Sequence, residues 1–359
     1  MATAMLPDHE YHTLDVVDII EETADTRSFV LGIPPEHAEN FAYVAGQFCT
    51  YRATIDGESV VRCYSMSSSP DTGDPFATTV KRVPDGRMSN WMNDVLTTGD
   101  AIEVMPPEGR FGAPLGGGTY VGIAAGSGIT PVLSIMKAVL AADGAASFVL
   151  IYGSRNVASI IFRTELEDLK DRYLGRLTVI HVLSREAQDV PVLTGRIDAG
   201  KLRALLPAAV APGDIAHAFL CGPGGLIDIA AAVLAELGVA AERVHCERFT
   251  ASTPPRPRAA AVAGEAPFAT ATIIHDGKTN IVAVAEGEAI LEAAIRAGLD
   301  LPWSCRGGMC CTCRARLTEG AATMEANYSL EPWETEAGFV LTCQAHPTSR
   351  HVTVDYDAV

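Results

Sequence analysis

The sequence is short of basic side chains, sparing with cysteine and free of long apolar runs, and each shortage removes a class of protein. No run of about eighteen apolar residues, the length a membrane helix needs, occurs anywhere in the chain. The residues after Met1 lack a basic segment leading into an apolar one, so no secretory signal is expected either, and the expected location is cytoplasmic. Lys and Arg number 27 against 44 Asp and Glu, a net charge of −17. Phosphate backbones would be repelled by such a surface, so nucleic acid is not an expected partner, whereas a solvated enzyme or one that docks on a basic partner is. Nine cysteines in 359 residues do not make a disulfide framework of the kind small secreted domains need. Clustered cysteines in a reducing compartment more often bind metal.

What is present is a globular composition, 48% hydrophobic and 20% charged, in a chain long enough for two or three domains. From Tyr11 to about Phe111 short alternating runs such as FVLGI, FCTYRATI, VVRCYSM and TTVKRV are separated by PDTGDP, PDG and TTGD, which predicts an antiparallel β-barrel. From Tyr120 the pattern changes. Continuous apolar runs, YVGIAA, FVLIYG, LTVIHVLS and HAFLCG, alternate with the helical patterns PVLSIMKAVLAA, RTELEDLKDRYL and LIDIAAAVLAELG, as in an α/β parallel sheet covered on both faces. TASTPPRPRAAAVAGEAP has no period and reads as a linker. After it, ATATII and TNIVAV flank the hairpin signal Asp276-Gly277, and AILEAAIRAG reads as a helix ending at Gly298. The resulting division is 8–113 for the barrel, 114–250 for the α/β domain, 251–267 for the linker and 268–359 for a small third domain.

In CRGGMCCTC, Cys305, Cys310 and Cys313 form C-x4-C-x2-C, and Cys343 follows 30 positions later in VLTCQAHP. Four thiolates at this spacing can hold the two irons of a [2Fe-2S] cluster, with Gly307 and Gly308 letting backbone N–H groups approach the sulfurs. Zinc is the competing reading, because Cys310, Cys313, Cys343 and His346 could form a tetrahedral site, although this leaves Cys305 and the glycine pair unused. Cys311 lies between ligands and reads as a bystander. WSCRGGMCCTCRARL and FVLTCQAHP make the whole segment after the linker resemble a plant-type ferredoxin domain, which implies an α+β β-grasp fold.

A one-electron centre needs a source upstream. Gly126-Ser127-Gly128-Ile129-Thr130-Pro131 follows the strand YVGIAA and opens a helix, where a dinucleotide pyrophosphate can meet free N–H groups and the helix dipole. CGPGG, Cys221 to Gly225 and including Gly222 and Pro223, repeats a strand and glycine turn. Two such turns at the carboxyl ends of parallel strands outline one crevice. In the barrel Arg62-Cys63-Tyr64-Ser65 offers a phosphate partner and a ring to lie against a flavin. RxYS, KRVPDGRMSNW, GSGITP and CGPGG, in that order, resemble the ferredoxin-NADP+ reductase superfamily over essentially the whole region before the linker. The resemblance implies that Arg62, Cys63, Tyr64, Ser65, Val80, Lys81, Gly86, Arg87, Met88 and Ser89 hold FAD, the last four favouring FAD over FMN. It also implies that Thr130 approaches the flavin, that Cys221 lies beside the nicotinamide, and that Glu247 and Phe249 in HCERF return the chain to the flavin. Each has a plainer reading, as a helix cap, a buried apolar residue or a strand end.

Ser154-Arg155 in YGSRN and Ser184-Arg185 in HVLSREAQ follow strands where an adenosine ribose would lie, and cationic donors there suit a 2′-phosphate, so NADPH is expected, with NADH possible. The domain order is similar to that of reductase components of bacterial multicomponent oxygenases. CRGGMCCTCRARLTEG, NYSLEPWE and GFVLTCQAHP resemble those of phenylacetyl-CoA ring epoxidases, with 3-ketosteroid 9α-hydroxylase reductases as near neighbours. The resemblance implies electron transfer from NADPH through FAD and [2Fe-2S] to an oxygenase component. A carrier or docking module with a degenerate flavin domain is the alternative from another class; intact RCYS and GRMS argue against it.

Overall fold

The computed structural model describes residues 10–249, 267–330 and 332–358. The expected linker lies outside the described residues except for Pro267, as do Asp8 and His9 of the expected barrel domain. The chain divides into a compact unit over Glu10–Phe249 and a second that contains everything after it.

Six antiparallel strands open the first unit, in the order Glu58–Ser65, Phe48–Ile55, Ala101–Val104, His12–Thr23, Thr26–Gly32 and Ala77–Lys81. A bridge between Met66 and Thr78 joins the two outer strands and closes the sheet into a barrel. The alternation in FCTYRATI turns Cys49, Tyr51, Ala53 and Ile55 into one core, because successive side chains of a strand face opposite ways. The helix Arg87–Asp94 adds Met88 and Met92, one turn apart on its buried face, to the same core.

A five-stranded parallel sheet follows, in the order Val244–Glu247, Ile215–Cys221, Gly118–Ala125, Ala146–Ser154 and Leu177–Leu183. It is apolar on both faces. Tyr120, Phe148 and Leu150 join one core, while Val121, Ile123, Val149 and Ile151 join the other. The helix Ile129–Ala142 packs on the first face and Gly224–Glu236 on the second. The chain leaves the neighbouring strands Gly118–Ala125 and Ile215–Cys221 in opposite directions, which opens a crevice at their carboxyl ends.

Barrel and sheet meet along Ile129–Ala142, whose residues from Ile129 through Leu140 are buried. Ser134 Oγ donates to the Ser68 carbonyl at 2.6 Å, and Lys137 Nζ donates to Asp74 Oδ2 at 2.8 Å and pairs with Glu165. Burial would raise the Asp74 carboxyl, but Lys137 outweighs it and holds the group below its ordinary range.

The second unit has a mixed sheet in the order Lys278–Val284, Ala269–His275, His351–Asp355, Arg314–Glu319 and Phe339–Leu341, with the helix Ile290–Arg296 packed into its core through Ile290, Leu291, Ala293 and Ala294. The hairpin turn has Asp276 at φ 52 and Gly277 at φ 67, the two left-handed residues of a tight turn matched to strand twist. This is the α+β arrangement expected from the sequence.

Lys137→Met leaves two carboxylates around an apolar side chain, so it should destabilise the first unit by about 2 to 3 kcal/mol. Asp74 contributes stability above its unfolded pKa, and that stability is lost as the pH falls through its lower folded value. Urea unfolding between neutral and acid pH should therefore show a smaller acid-side loss in the variant than in the wild type.

Candidate functional site

The crevice is lined by the two glycine turns. Gly126–Gly128 forms a single tight turn between the strand Gly118–Ala125 and the helix Ile129–Ala142, with Ser127 half-buried at its tip. A Cβ on Gly128 would stand 2.1 Å from the Cys221 carbonyl oxygen, so the turns touch only because this residue has no side chain. Gly222 and Pro223 lead from Cys221 into Gly224–Glu236. Cys221 is fully buried and burial pushes its thiol up, so the sulfur is neutral. Thr130 is also buried, and its hydroxyl donates to the Ser127 carbonyl at 2.9 Å, which locks the turn to the helix.

The barrel supplies the facing wall. Along Glu58–Ser65, Arg62 is exposed, Cys63 and Tyr64 are half-buried, and Tyr64 lies 5.6 Å from the Tyr51 ring. Ser65 is buried and donates through Oγ to Glu247 Oε2 at 3.0 Å, joining a barrel strand end to the end of the outermost parallel strand. Burial raises the Glu247 carboxyl from 4.5 to about 8 against the opposing effect of the Ser65 hydroxyl. Phe249 follows, 40% exposed. Val80 sits in the barrel core, and the Lys81 ammonium lies 3.9 Å from where a Gly126 Cβ would be. Gly86 precedes Arg87–Asp94, where Met88 points into the core and Ser89 Oγ accepts the Val83 N–H at 3.4 Å. Arg87 is engaged by Glu58 and donates to the Ile55 carbonyl at 2.8 Å.

At the sheet edge the two Ser-Arg pairs lie side by side. Ser184 and Arg185 donate their backbone N–H groups to the carbonyls of Ser154 and Arg155, at 2.9 and 2.7 Å. Ser154 is buried at the end of its strand, next to the Tyr152 hydroxyl, which donates to the Gly126 carbonyl at 3.0 Å. Arg155 is paired with Asp25, whereas Arg185 is exposed and makes no ion pair among the described residues. Touching glycine turns and an exposed guanidinium at Arg185 beside them fit a dinucleotide.

In the second unit the four cysteines fall into two pairs. The Cys305 thiol is influenced most by Cys310, and the Cys313 thiol most by Cys343, and both are pushed up. Backbone N–H groups of Gly307 and Met309 donate to Cys305 Sγ, each at 3.3 Å, and that of Cys305 to Cys310 Sγ at 3.4 Å. Gly308 has φ +76, and a Cβ there would meet the Ala326 carbonyl oxygen at 2.8 Å. Among the described residues no three His, Cys, Asp or Glu side chains stand together as ligands of one ion. Backbone N–H groups aimed at the sulfurs, on four thiols at this spacing, suit a two-iron cluster with two thiolates per iron. His346 instead lies 3.8 Å from Glu325 Oε2. Cys311 is half-buried at φ 58, outside both pairs.

Sequence reasoning missed Gln344, whose Nε2 donates to the Arg306 carbonyl at 2.8 Å and ties the cysteine loop down. It also missed Asp25, a turn residue with no motif around it.

Comparison with known proteins follows the same three-part order. The oxidoreductase FAD-binding domain model matches residues 13–112, the oxidoreductase NAD-binding domain model 123–232, and the 2Fe-2S iron-sulfur cluster binding domain model 273–348. One of the subunits of the 1,2-phenylacetyl-CoA epoxidase of Escherichia coli K12 is 39% identical over 97% of this chain and 98% of its own length. The chain belongs to the family of oxygenase reductase components. The ferredoxin reductase component of 3-ketosteroid-9-alpha-monooxygenase from Rhodococcus rhodochrous is 38% identical over 96% of both chains. Phthalate dioxygenase reductase, 24% identical, shares the fold with a TM-score of 0.60 over 96% of this chain and 98% of its own. The protein is thus an oxidoreductase whose cofactors are FAD, a nicotinamide dinucleotide and a [2Fe-2S] cluster.

Cys311→Ser should keep the iron-sulfur absorbance, whereas Cys310→Ser should lose or badly perturb it; loss in both would place Cys311 among the ligands. For Glu247, the folded carboxyl between pH 4.5 and about 8 keeps a proton that the unfolded one has released, so stability falls as pH rises through that window. Glu247→Gln should abolish that decline, worth on the order of 2 kcal/mol once partial exposure is discounted, in urea unfolding over the same range.

Proposed function

We propose that this chain is the NADPH-dependent reductase of a multicomponent oxygenase, and that its oxygenase acts on an aromatic CoA thioester of the phenylacetyl-CoA class. The observation that carries the reading is the single crevice where Gly128 meets Cys221 and Ser65 meets Glu247, on a chain that ends in a paired-thiol loop. A nicotinamide supplies a hydride, two electrons together, and a flavin takes that pair and releases electrons singly to a one-electron centre.

In this reading Arg62, Tyr64 and Ser65, with Gly86 to Ser89 at the helix start, hold the FAD. The GSG turn and CGP segment position the nicotinamide half, with Thr130 and Cys221 shaping the floor of the crevice. Glu247 and Phe249 close it from the far side. Glu247, protonated below about pH 8, keeps the pocket beside the flavin free of a buried negative charge. Cys305, Cys310, Cys313 and Cys343 hold the cluster, which leaves electrons with an external oxygenase component. We divide the chain at 8–113, 114–250 and 268–359, joined by 251–267. Thiolates that must stay reduced support a cytoplasmic location.

Ser184 and Arg185 select the nucleotide. An exposed guanidinium without an ion pair is the group that a 2′-phosphate would engage bidentately. Identities of 38% to steroid hydroxylase reductases support a second reading, an NADH-dependent reductase for a steroid-type oxygenase.

Steady-state kcat/KM with NADPH should exceed that with NADH, and Arg185→Ala should lower the NADPH value about tenfold through KM while sparing NADH. A wild-type preference for NADH would favour the second reading.

A further inference from the structure

The barrel places a carboxylate in the nucleotide crevice. Asp25 sits in the turn between His12–Thr23 and Thr26–Gly32. Its Oδ1 accepts the Thr23 hydroxyl at 2.9 Å and the Thr26 hydroxyl at 3.1 Å, and its carbonyl accepts the Arg82 N–H at 2.8 Å. Its Oδ2 pairs with the Arg155 guanidinium, which comes from the end of the strand Ala146–Ser154, and stands 3.9 Å from Lys81 Nζ. One carboxylate oxygen is therefore shared by two cations that approach from different walls. Lys81 lies against Gly126, the first residue of the tight turn.

Two cations so close repel each other unless an anion lies between them. Asp25 is that anion. Burial would raise its carboxyl, but the Thr23 hydroxyl, Lys81 and Arg155 hold it below its ordinary value, so it is charged at neutral pH. The arrangement is nevertheless open to solvent, with side-chain exposures of 45% for Arg155, 26% for Asp25 and 19% for Lys81. A phosphate oxygen has the same charge and the same need for donors as the carboxylate oxygen it would meet there, and it also reaches the N–H groups of the turn.

We propose that Asp25 is a resident counter-ion that stands in for a nucleotide phosphate, and that the incoming dinucleotide displaces it from Lys81 and Arg155. This rests on the reading that the crevice binds NAD(P)H. Asp25 is a positioning residue that takes part in no chemical step. It keeps the cation pair in place while the crevice is empty, ties the barrel to the sheet edge, and lowers nucleotide affinity by competing for the same donors. Arg185, which has no such competitor, remains the selector for the 2′-phosphate.

The test is calorimetric binding of NADP+ to the full-length holoprotein. Asp25→Asn keeps an oxygen for Thr23 and Thr26 but removes the charge. It should lower Kd about fivefold at low salt, and the gain should shrink as ionic strength rises. Lys81→Met and Arg155→Met should each raise Kd, and adding Arg155→Met to Asp25→Asn should cancel most of the gain, because the two residues act on one contact. Asp25→Ser, which also lacks the charge, must tighten binding as Asn does and guards against a fault peculiar to the amide. Unchanged or weaker binding in both Asp25 variants overturns the proposal and leaves Asp25 as a structural tie. If instead Lys81→Met and Arg155→Met leave Kd unchanged, the failure lies in the reading of the crevice itself.

Discussion

Hydride exchange between a nicotinamide and a flavin demands that two rings meet face to face, and here the matched FAD-binding and NAD-binding domains are two separately built sheets. Three contacts within Glu10–Phe249 hold the two sheets in register. The barrel ends its strand Glu58–Ser65 at the place where the parallel sheet ends Val244–Glu247, and Ser65 and Glu247 are bonded there at 3.0 Å. Behind that contact the helix Ile129–Ala142 is held to the barrel by Ser134 and Lys137, so the turn at its start cannot drift from the facing wall. Close packing at Gly128 sets the depth of the crevice. A side chain there would separate the two turns, and the ends of both strands with them.

The iron-sulfur loop obeys a different constraint. Four thiolates brought together in a small volume repel one another, and the loop answers with backbone donors: Gly307 and Met309 direct their N–H groups to Cys305, and Cys305 directs its own to Cys310. Such donors stabilise sulfur charge and tune the potential of a bound cluster. The loop can bend so tightly because Gly308 accepts a left-handed conformation next to the Ala326 carbonyl. Arg306 and Cys311 adopt positive φ as well, at 51 and 58, which is the cost of wrapping a short segment around a metal site.

Much of this was legible in the sequence, for local reasons. FCTYRATI alternates, and it is the strand Phe48–Ile55; YVGIAA is continuous, and it lies in a strand buried on both faces. Asp276-Gly277 and the cysteine spacing are equally local, since each is fixed by a few neighbouring residues. Several elements escaped, among them one strand and one helix of the first unit. The strand His12–Thr23 is broken up by Asp15, Asp18, Glu21 and Glu22, because much of it faces solvent, and the helix Ala199–Ala209 contains Pro207, which reads as a stop. What no pattern could give is partnership across long separations. Ser65 and Glu247 are 182 positions apart and Asp25 and Arg155 are 130 apart, and only the folded chain joins them. Thr130 and Cys221 were found by their motifs, and the plainer readings of a helix cap and a buried apolar residue agree with the Thr130 hydroxyl on the Ser127 carbonyl and the full burial of Cys221.

Electrons enter this chain in pairs through the NAD-binding and FAD-binding domains and leave it singly through the 2Fe-2S domain. Anaerobic titration of the purified full-length protein with NADPH, followed by visible absorbance and EPR together, tests it most directly. Flavin absorbance should bleach, a reduced iron-sulfur EPR signal should appear, and the endpoint should fall at about 1.5 equivalents of NADPH, the three electrons that FAD and [2Fe-2S] accept between them. Flavin bleaching at about one equivalent with no iron-sulfur signal, or zinc in place of iron, would contradict it.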